Sequence, residues 1–396
     1  MKPLLIKIGK SWNVIKREGI FHGGKRVLIF IVNFAKTILK PKRGDVLFIT
    51  AGVGDVTRYR VINYSEELNT HGTKSDFTMV DDPFLLRYAD KFKIFILQRL
   101  SMSSKLEKFI EKVKLQNKEI IFETDDLVFD PFYLHQTDSY KKMNALEKMQ
   151  YKNGIGGEIL KDPYVKVCTT TTSFLAEKLR SYGKKVFIVR NKLTLHDIEI
   201  CDNLLKTPKK KDGKIRIGYF SGTFGHNADF ASVTPALLEI MEKYPQVELF
   251  IVGPLDIDSQ LNKFKDRVKQ LHYVPWEKHL ANKYSVDIDI APLVIGDPFC
   301  EGKSELKFFE AGMVKNPCVA VRNQTFSEAI TDGVDGFLAS NTDEWVEKLS
   351  KLIESENLRR EIGEKAREKA LADYTTKNSH ENEYYEYLKK RIREIK

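Results

Sequence analysis

Four side chains in the stretch DPFCEGKSELKFFEAG, residues 297–312, are of types that could work together. Lys303, Ser304, Lys307 and Glu310 project from the first turns of an expected helix, or from just before it. Two ammonium groups and a hydroxyl suit a phosphate, and an ionised carboxylate is a pure acceptor that could hold a sugar diol. Leu306, Phe309 and Met313 recur at i, i+3 and i+7 with Phe308 beside them, which gives this helix an apolar face to bury. An apolar run with β character, residues 286–294, precedes it. A strand-to-helix turn at the carboxyl edge of a parallel sheet is where nucleotide ligands sit. The helix N-terminus adds free backbone N–H groups and a partial positive charge. The same spacing also fits an amphipathic surface helix with a solvated Lys/Glu face.

Other groups of residues invite the same question. KIRIGYFSGTFGHNADF, residues 214–230, reads as a strand, a glycine-containing turn and a helix. Ser221, Gly222 and Thr223 sit where amide and hydroxyl donors could meet a diphosphate. His226, taken alone, is a cap or a surface residue. In the first half, FETDDLVFDP places Asp125 and Asp126 at the end of a strand. Paired carboxylates there could orient hydroxyls or take a proton, with turn or helix capping as the alternative. Gly52 and Gly54, in AGVGD, follow the first strand, where a backbone could approach a ligand closely; Arg58 lies on the helix after them. Arg190 and Asn191 end KVFIVRN at the expected crossing between domains. His71 and His135 are histidines without a supporting context.

The elements that must position these groups alternate in type. DVLFITA, DFTMV, KIFILQRL and EIIFETDDL read as strands, with helices expected over 55–68 and 105–115. Strand and helix in alternation predict a parallel sheet with right-handed crossovers. A polar helix is expected over 141–160, then a closing strand and helix in VKVCTTTTSFLAEKLRSYG. TPKKKDGK, residues 207–214, is a solvated linker by composition, and VELFIVG is a further strand. The expected boundaries are a basic segment at 1–43, a first domain at 44–191, a second at 192–375, and a charged last helix at 376–396 that could cross back to the first.

Composition narrows the class. A chain of 396 residues has room for about two domains and their cores. Cys168, Cys201, Cys300 and Cys318 lie far apart, which fits buried thiols in a reducing compartment and no disulfide frame or zinc site. No metal site is legible. Residues 1–43 carry eleven Lys/Arg against one acid, so their excess equals the formal net charge of +10 for the whole chain. Charge concentrated in this way argues against nucleic acid and for an anionic membrane surface. Leu4, Leu5, Ile8, Trp12 and Ile15 share one helical face opposite lysines, and 27–39 forms a second apolar run too short to span a bilayer. A helical hairpin packed on its own domain is the alternative.

The stretch at 297–312, with APL before it and NPCVAV after it, resembles the donor-binding segment of group 1 (family 4) glycosyltransferases of the GT-B fold. The pattern of Lys303, Ser304, Lys307 and Glu310 is similar to a bacterial KSxxKxxE sub-branch, as is GYFSGTxxHxxDF. Many family members place two glutamates eight positions apart; Glu310 fits the second, but Gly302 stands at the first. The resemblance implies two Rossmann-like domains facing across a cleft and transfer of a sugar from a nucleoside-diphosphate sugar to a glycan, lipid-linked or protein acceptor. It also implies retention of configuration and no metal, while the Lys/Ile/Asn-rich composition points to bacterial surface polysaccharide synthesis. Glu310 would then bind the ribose, with Ser304, Glu305 and Leu306 as further donor contacts. Lys303 and Lys307 would face the diphosphate, with His226 a diphosphate or sugar contact. Val274 and Trp276, in VPWEKHLANKY, would lie near the nucleobase, plain core being the alternative for Trp276. Asp125 and Asp126 would act on the acceptor side. Composition and the cysteine pattern suggest a cytoplasmic setting, on the inner face of the plasma membrane if residues 1–43 attach there. A non-catalytic GT-B subunit that positions a partner is the rival reading, motivated by the missing first glutamate.

Overall fold

A computed structural model describes residues 24, 28, 31–32, 34–52, 57–141, 143–222, 226–271 and 274–395. The described residues of Met1–Thr170, Lys178–Phe187 and Glu381–Lys396 form one compact unit, and Thr171–Glu177 with Ile188–His380 form a second. Gly54, Thr223 and most of the segment 1–43 lie outside the described residues, and so does any hairpin formed there. Within that segment Phe34 to Leu39 is helical, and Leu28, Ile31, Val32 and Leu39 are exposed.

Unit 1 is built on β1 (Val46–Thr50), β2 (Ser75–Met79), β3 (Ile94–Gln98), β4 (Glu119–Glu123), β5 (Val167–Thr170) and β6 (Lys185–Ile188). They lie in the order β2-β1-β3-β4-β5-β6, parallel from β2 through β5. Every residue of β1 and β3 is buried, as expected where helices cover both faces of a parallel sheet. The chain leaves β1 for β2 on one side and reaches β3 on the other. The topological switch point, where crevices form in such sheets, is therefore at the carboxyl ends of β1 and β3. The C-terminal helix Asn382–Glu394 completes this unit. Its Tyr384 ring lies 5.1 Å from that of Phe187, and Arg391 pairs with Glu119 at 2.7 Å.

Two expected helices take different forms. Over 55–68 the described chain runs first as a π-helix, Arg58–Asn63, and then as α1 (Tyr64–Thr70). The stretch 141–160 is broken into short helices, Ala145–Gln150 and Gly157–Lys161 among them. Gly154, at φ +81°, explains the break: a Cβ there would stand 2.2 Å from the Phe129 carbonyl oxygen. The two backbones touch, and only glycine permits both the contact and the left-handed conformation.

Unit 2 carries β7 (Ile215–Phe220), β8 (Val247–Val252), β9 (Val268–Leu271), β10 (Ile288–Ala291), β11 (Cys318–Val321) and β12 (Phe337–Ala339). Their order is β12-β11-β10-β7-β8-β9, and all neighbours are parallel. Here the switch point lies between β7 and β10. Its core joins Ile217, Tyr219, Ile251, Ile288 and Ile290 to α2 (Asn227–Lys243) through Phe230, Val233 and Leu237. Residues 188–191, which the sequence boundaries assign to the first domain, group with unit 2, into which the Arg190 and Asn191 side chains bond.

Candidate functional site

The switch point of unit 2 is where most of the candidate residues are found. β7 ends at Phe220, and the Ser221 N–H bonds the Val252 carbonyl at 2.8 Å, which keeps the turn alongside β8. Gly253, φ +118°, follows β8, and a Cβ there would come within 1.9 Å of the Ser221 oxygen. Gly222 is exposed, and the turn then passes outside the described residues until His226. His226 Nδ1 lies 2.8 Å from Asp229 Oδ2 at the start of α2. The other Asp229 oxygen accepts from the Val294 N–H at 3.3 Å and the Cys300 thiol at 3.2 Å. One buried carboxylate thus ties α2 to the loop after β10 and to α3 (Pro298–Glu301). Burial acts against ionisation of Asp229, but these donors outweigh it and hold its pKa below the ordinary value.

Lys307 and Glu310 rise from α4 (Leu306–Met313) on the other side of this turn. The Lys307 ammonium donates to the Phe220 carbonyl at 2.5 Å and stands 5.1 Å from the centre of the Tyr219 ring. Among the described residues no carboxylate lies within ion-pair distance of it. Burial and the neighbouring Lys283 lower its pKa. Glu310 is nearly buried, and its Oε2 is 3.2 Å from His279 Nε2 and 3.6 Å from Lys283 Nζ. Lys283 is fully buried and pairs with Asp289 at 2.8 Å. Burial alone would lower its pKa, but Asp289 and Glu310 reverse the sign and keep it protonated.

α4 has no side-chain cap, because its N-cap residue, Glu305, turns its carboxylate to Arg190 at 2.9 Å. Asn191 donates to the Ser304 hydroxyl at 2.9 Å, so that hydroxyl retains its own proton to donate. Lys303 and Leu306 flank them, both half-buried. Arg190 and Asn191 thus brace the start of α4 in unit 2. Trp276 opens the helix Trp276–Tyr284, where its ring stacks on His279 at 5.2 Å and its indole N–H reaches Asp197 at 2.6 Å. Val274 packs against Phe220, Phe250, Val252 and Val286. A separate cavity of about 530 Å³ opens at the opposite, amino edge of β7 and β8, lined by Arg216, Glu248, Arg267 and Lys269.

The corresponding edge of unit 1 is dominated by ion pairs. Arg60 makes two bonds to Glu123, at 2.7 and 2.9 Å, and Thr169 donates to the same carboxylate at 2.5 Å. Arg99, held at φ +46°, pairs with Asp125 at 3.1 Å. Asp126 accepts the Leu127 N–H at 2.8 Å and caps the 3₁₀ turn Leu127–Phe129, which is the capping alternative weighed for it. Gly52 accepts the Thr57 hydroxyl at 2.6 Å, and Arg58 is the first residue of the π-helix. His71 stacks on Tyr385 and His135 on Tyr140, each as a ring partner.

Sequence reasoning misses Asp229, His279, Lys283 and Asp289 in unit 2, and Arg60, Arg99 and Glu123 in unit 1. Each is a charged group inside or at the carboxyl end of an apolar strand, or on a helix packed against one. Burial does not need a charge there, so its presence points to a partner.

Residues 216–355 match the family model described as Glycosyl transferases group 1. No curated protein matches the chain. Among solved structures, Anabaena HepE in complex with UDP and glucose is 12% identical with a TM-score of 0.56, covering 89% of this chain and 99% of that one. A glycosyltransferase from Rickettsia africae is 14% identical with a TM-score of 0.58, covering 88% of this chain and 99% of that one. A Staphylococcus aureus TarM mutant in complex with fondaparinux, alpha-GlcNAc-glycerol and UDP is 16% identical with a TM-score of 0.51. That match covers 78% of this chain but spans only 58% of the TarM chain. Residues 216–355 are thus similar to the group 1 glycosyltransferases, and the chain as a whole has a two-unit α/β fold of the GT-B kind.

Proposed function

We propose that the protein transfers a sugar from a nucleoside-diphosphate donor to a glycan, lipid-linked or protein acceptor. The observation that carries this reading is Lys307. It is a half-buried cation without a carboxylate partner among the described residues, set at the switch point beside Ser221 and the uncapped start of α4. Such a group is costly to bury unless an anion arrives. Lys307, Lys303, Ser304 and the helix amides would take the leaving diphosphate, and Glu310 the ribose. Their charge stands in for a metal, so transfer is proposed to be metal-independent and to survive a chelator. Asp125, held by Arg99, is the acceptor-side carboxylate of this reading.

Retention of configuration and a role in bacterial surface glycan synthesis, with residues 1–43 on an anionic membrane, belong to the same proposal. Among the described residues no helix is long and apolar enough to cross a membrane. A thermal-shift panel of nucleoside-diphosphate sugars tests the core of the reading. A bound donor well above its dissociation constant should stabilise the protein by about 1–3 kcal/mol. No shift with any of them would overturn it and favour a non-catalytic subunit.

A further inference from the structure

Asp229 does more than pin a turn. Its carboxylate is ionised and accepts from His226 Nδ1, so the imidazole carries its hydrogen on Nδ1. The remaining ring nitrogen, Nε2, is then a bare acceptor whenever His226 is neutral. A diphosphate is also only an acceptor, so a neutral His226 has nothing to offer it.

The charges around the ring set its resting state. Asp229 faces it from α2, and Cys300, on α3, shares that carboxylate. Lys307, on α4, and Lys303, just before it, supply positive charge from the other side. The hydrogen bond to Asp229 favours the imidazolium, but burial and the two lysines outweigh it, and the pKa is net lowered. The ring is therefore neutral at rest near neutral pH. An incoming diphosphate brings negative charge to the place where the lysines now dominate.

We propose that Asp229 positions His226 as a proton-coupled clamp, which binds the donor diphosphate as an imidazolium and takes up one proton as the diphosphate arrives. This rests on the reading that the donor occupies the switch point of unit 2. Asp229 is a positioning residue in this scheme, and His226 touches the ligand. The sign follows from linkage: the bound state holds one more proton, so affinity weakens as pH rises between the free and bound pKa of the ring.

Calorimetric titration of the full chain at a series of pH values, from about one unit below the ordinary imidazole pKa of about 6.5 to two above it, tests it. UDP, GDP, ADP and TDP serve as probes, and two buffers of different ionisation enthalpy report the proton count. The wild type should take up about one proton more than His226→Gln for the tightest probe. Asp229→Asn gives a sharper test. Its amide oxygen can keep the Val294 and Cys300 contacts while its NH₂ group donates to Nδ1. That places the hydrogen on Nε2, which then donates without protonation, so binding should persist with the extra uptake gone. Should either variant fail to fold, the wild type alone decides. Its affinity should fall by up to about tenfold per pH unit across part of that pH series. Binding with a flat pH profile, or with equal proton counts in wild type and His226→Gln, would overturn the clamp and leave the donor site standing. No binding by any of the four probes would overturn the donor site itself.

Discussion

Replacing Lys307 with methionine keeps most of the side chain's length and removes its charge. A phosphate oxygen about 4 Å from the ammonium interacts with it by about 4 kcal/mol at an effective dielectric constant near 20. Only the part that grows as the sugar–phosphate bond breaks lowers the barrier. The expected loss in kcat is therefore about 1.4–4 kcal/mol, or tenfold to roughly a thousandfold. Folding should suffer little. The substitution removes one hydrogen bond, to the Phe220 carbonyl at 2.5 Å, and also relieves a partly buried cation of its desolvation cost. The first is worth about 1 kcal/mol, against a typical domain stability of about 5–15 kcal/mol. The two effects can be read separately: nucleoside diphosphate released from the stabilising donor gives turnover, and thermal unfolding gives stability. Unchanged turnover and unchanged diphosphate affinity in a folded Lys307→Met protein would show that α4 does not carry the leaving group.

Other substitutions sort the remaining roles. Glu310→Gln should weaken nucleoside and nucleoside-diphosphate binding alike, with a smaller effect on turnover at saturation, because ribose contacts change little during reaction; calorimetry with both ligands checks it. Asp125→Asn should depress turnover and leave donor binding intact; a loss of stability large enough to account for the lost activity would make Asp125 a structural partner of Arg99 only. Gly253→Ala meets both a left-handed backbone and the Ser221 oxygen, so it should destabilise unit 2 by more than about 1 kcal/mol, seen as a lowered urea midpoint. Deleting residues 1–43 should reduce flotation with anionic liposomes; equal partitioning with and without them would remove the membrane from the scheme.

Much of the architecture is legible in the sequence for one reason. Strands covered on both faces must be apolar throughout, so VLFIT and IFILQ announce themselves wherever the chain folds them. Local turn chemistry is legible too, as in Asp126 beside the 3₁₀ turn it caps. The helix expected over 141–160 fails because its break is set by contact with Phe129, which no local pattern encodes. The pairings of the candidate site are likewise decided in three dimensions. Lys307 finds the Phe220 carbonyl 87 positions away, and Arg190 finds Glu305 across 115. Charge type and helical spacing show that Lys307 and Glu310 share an element. They do not show that Glu310 rests against His279 and Lys283 while Lys307 has no carboxylate partner among the described residues. That division depends on which strand ends the sheet order brings to the switch point, and packing decides that order.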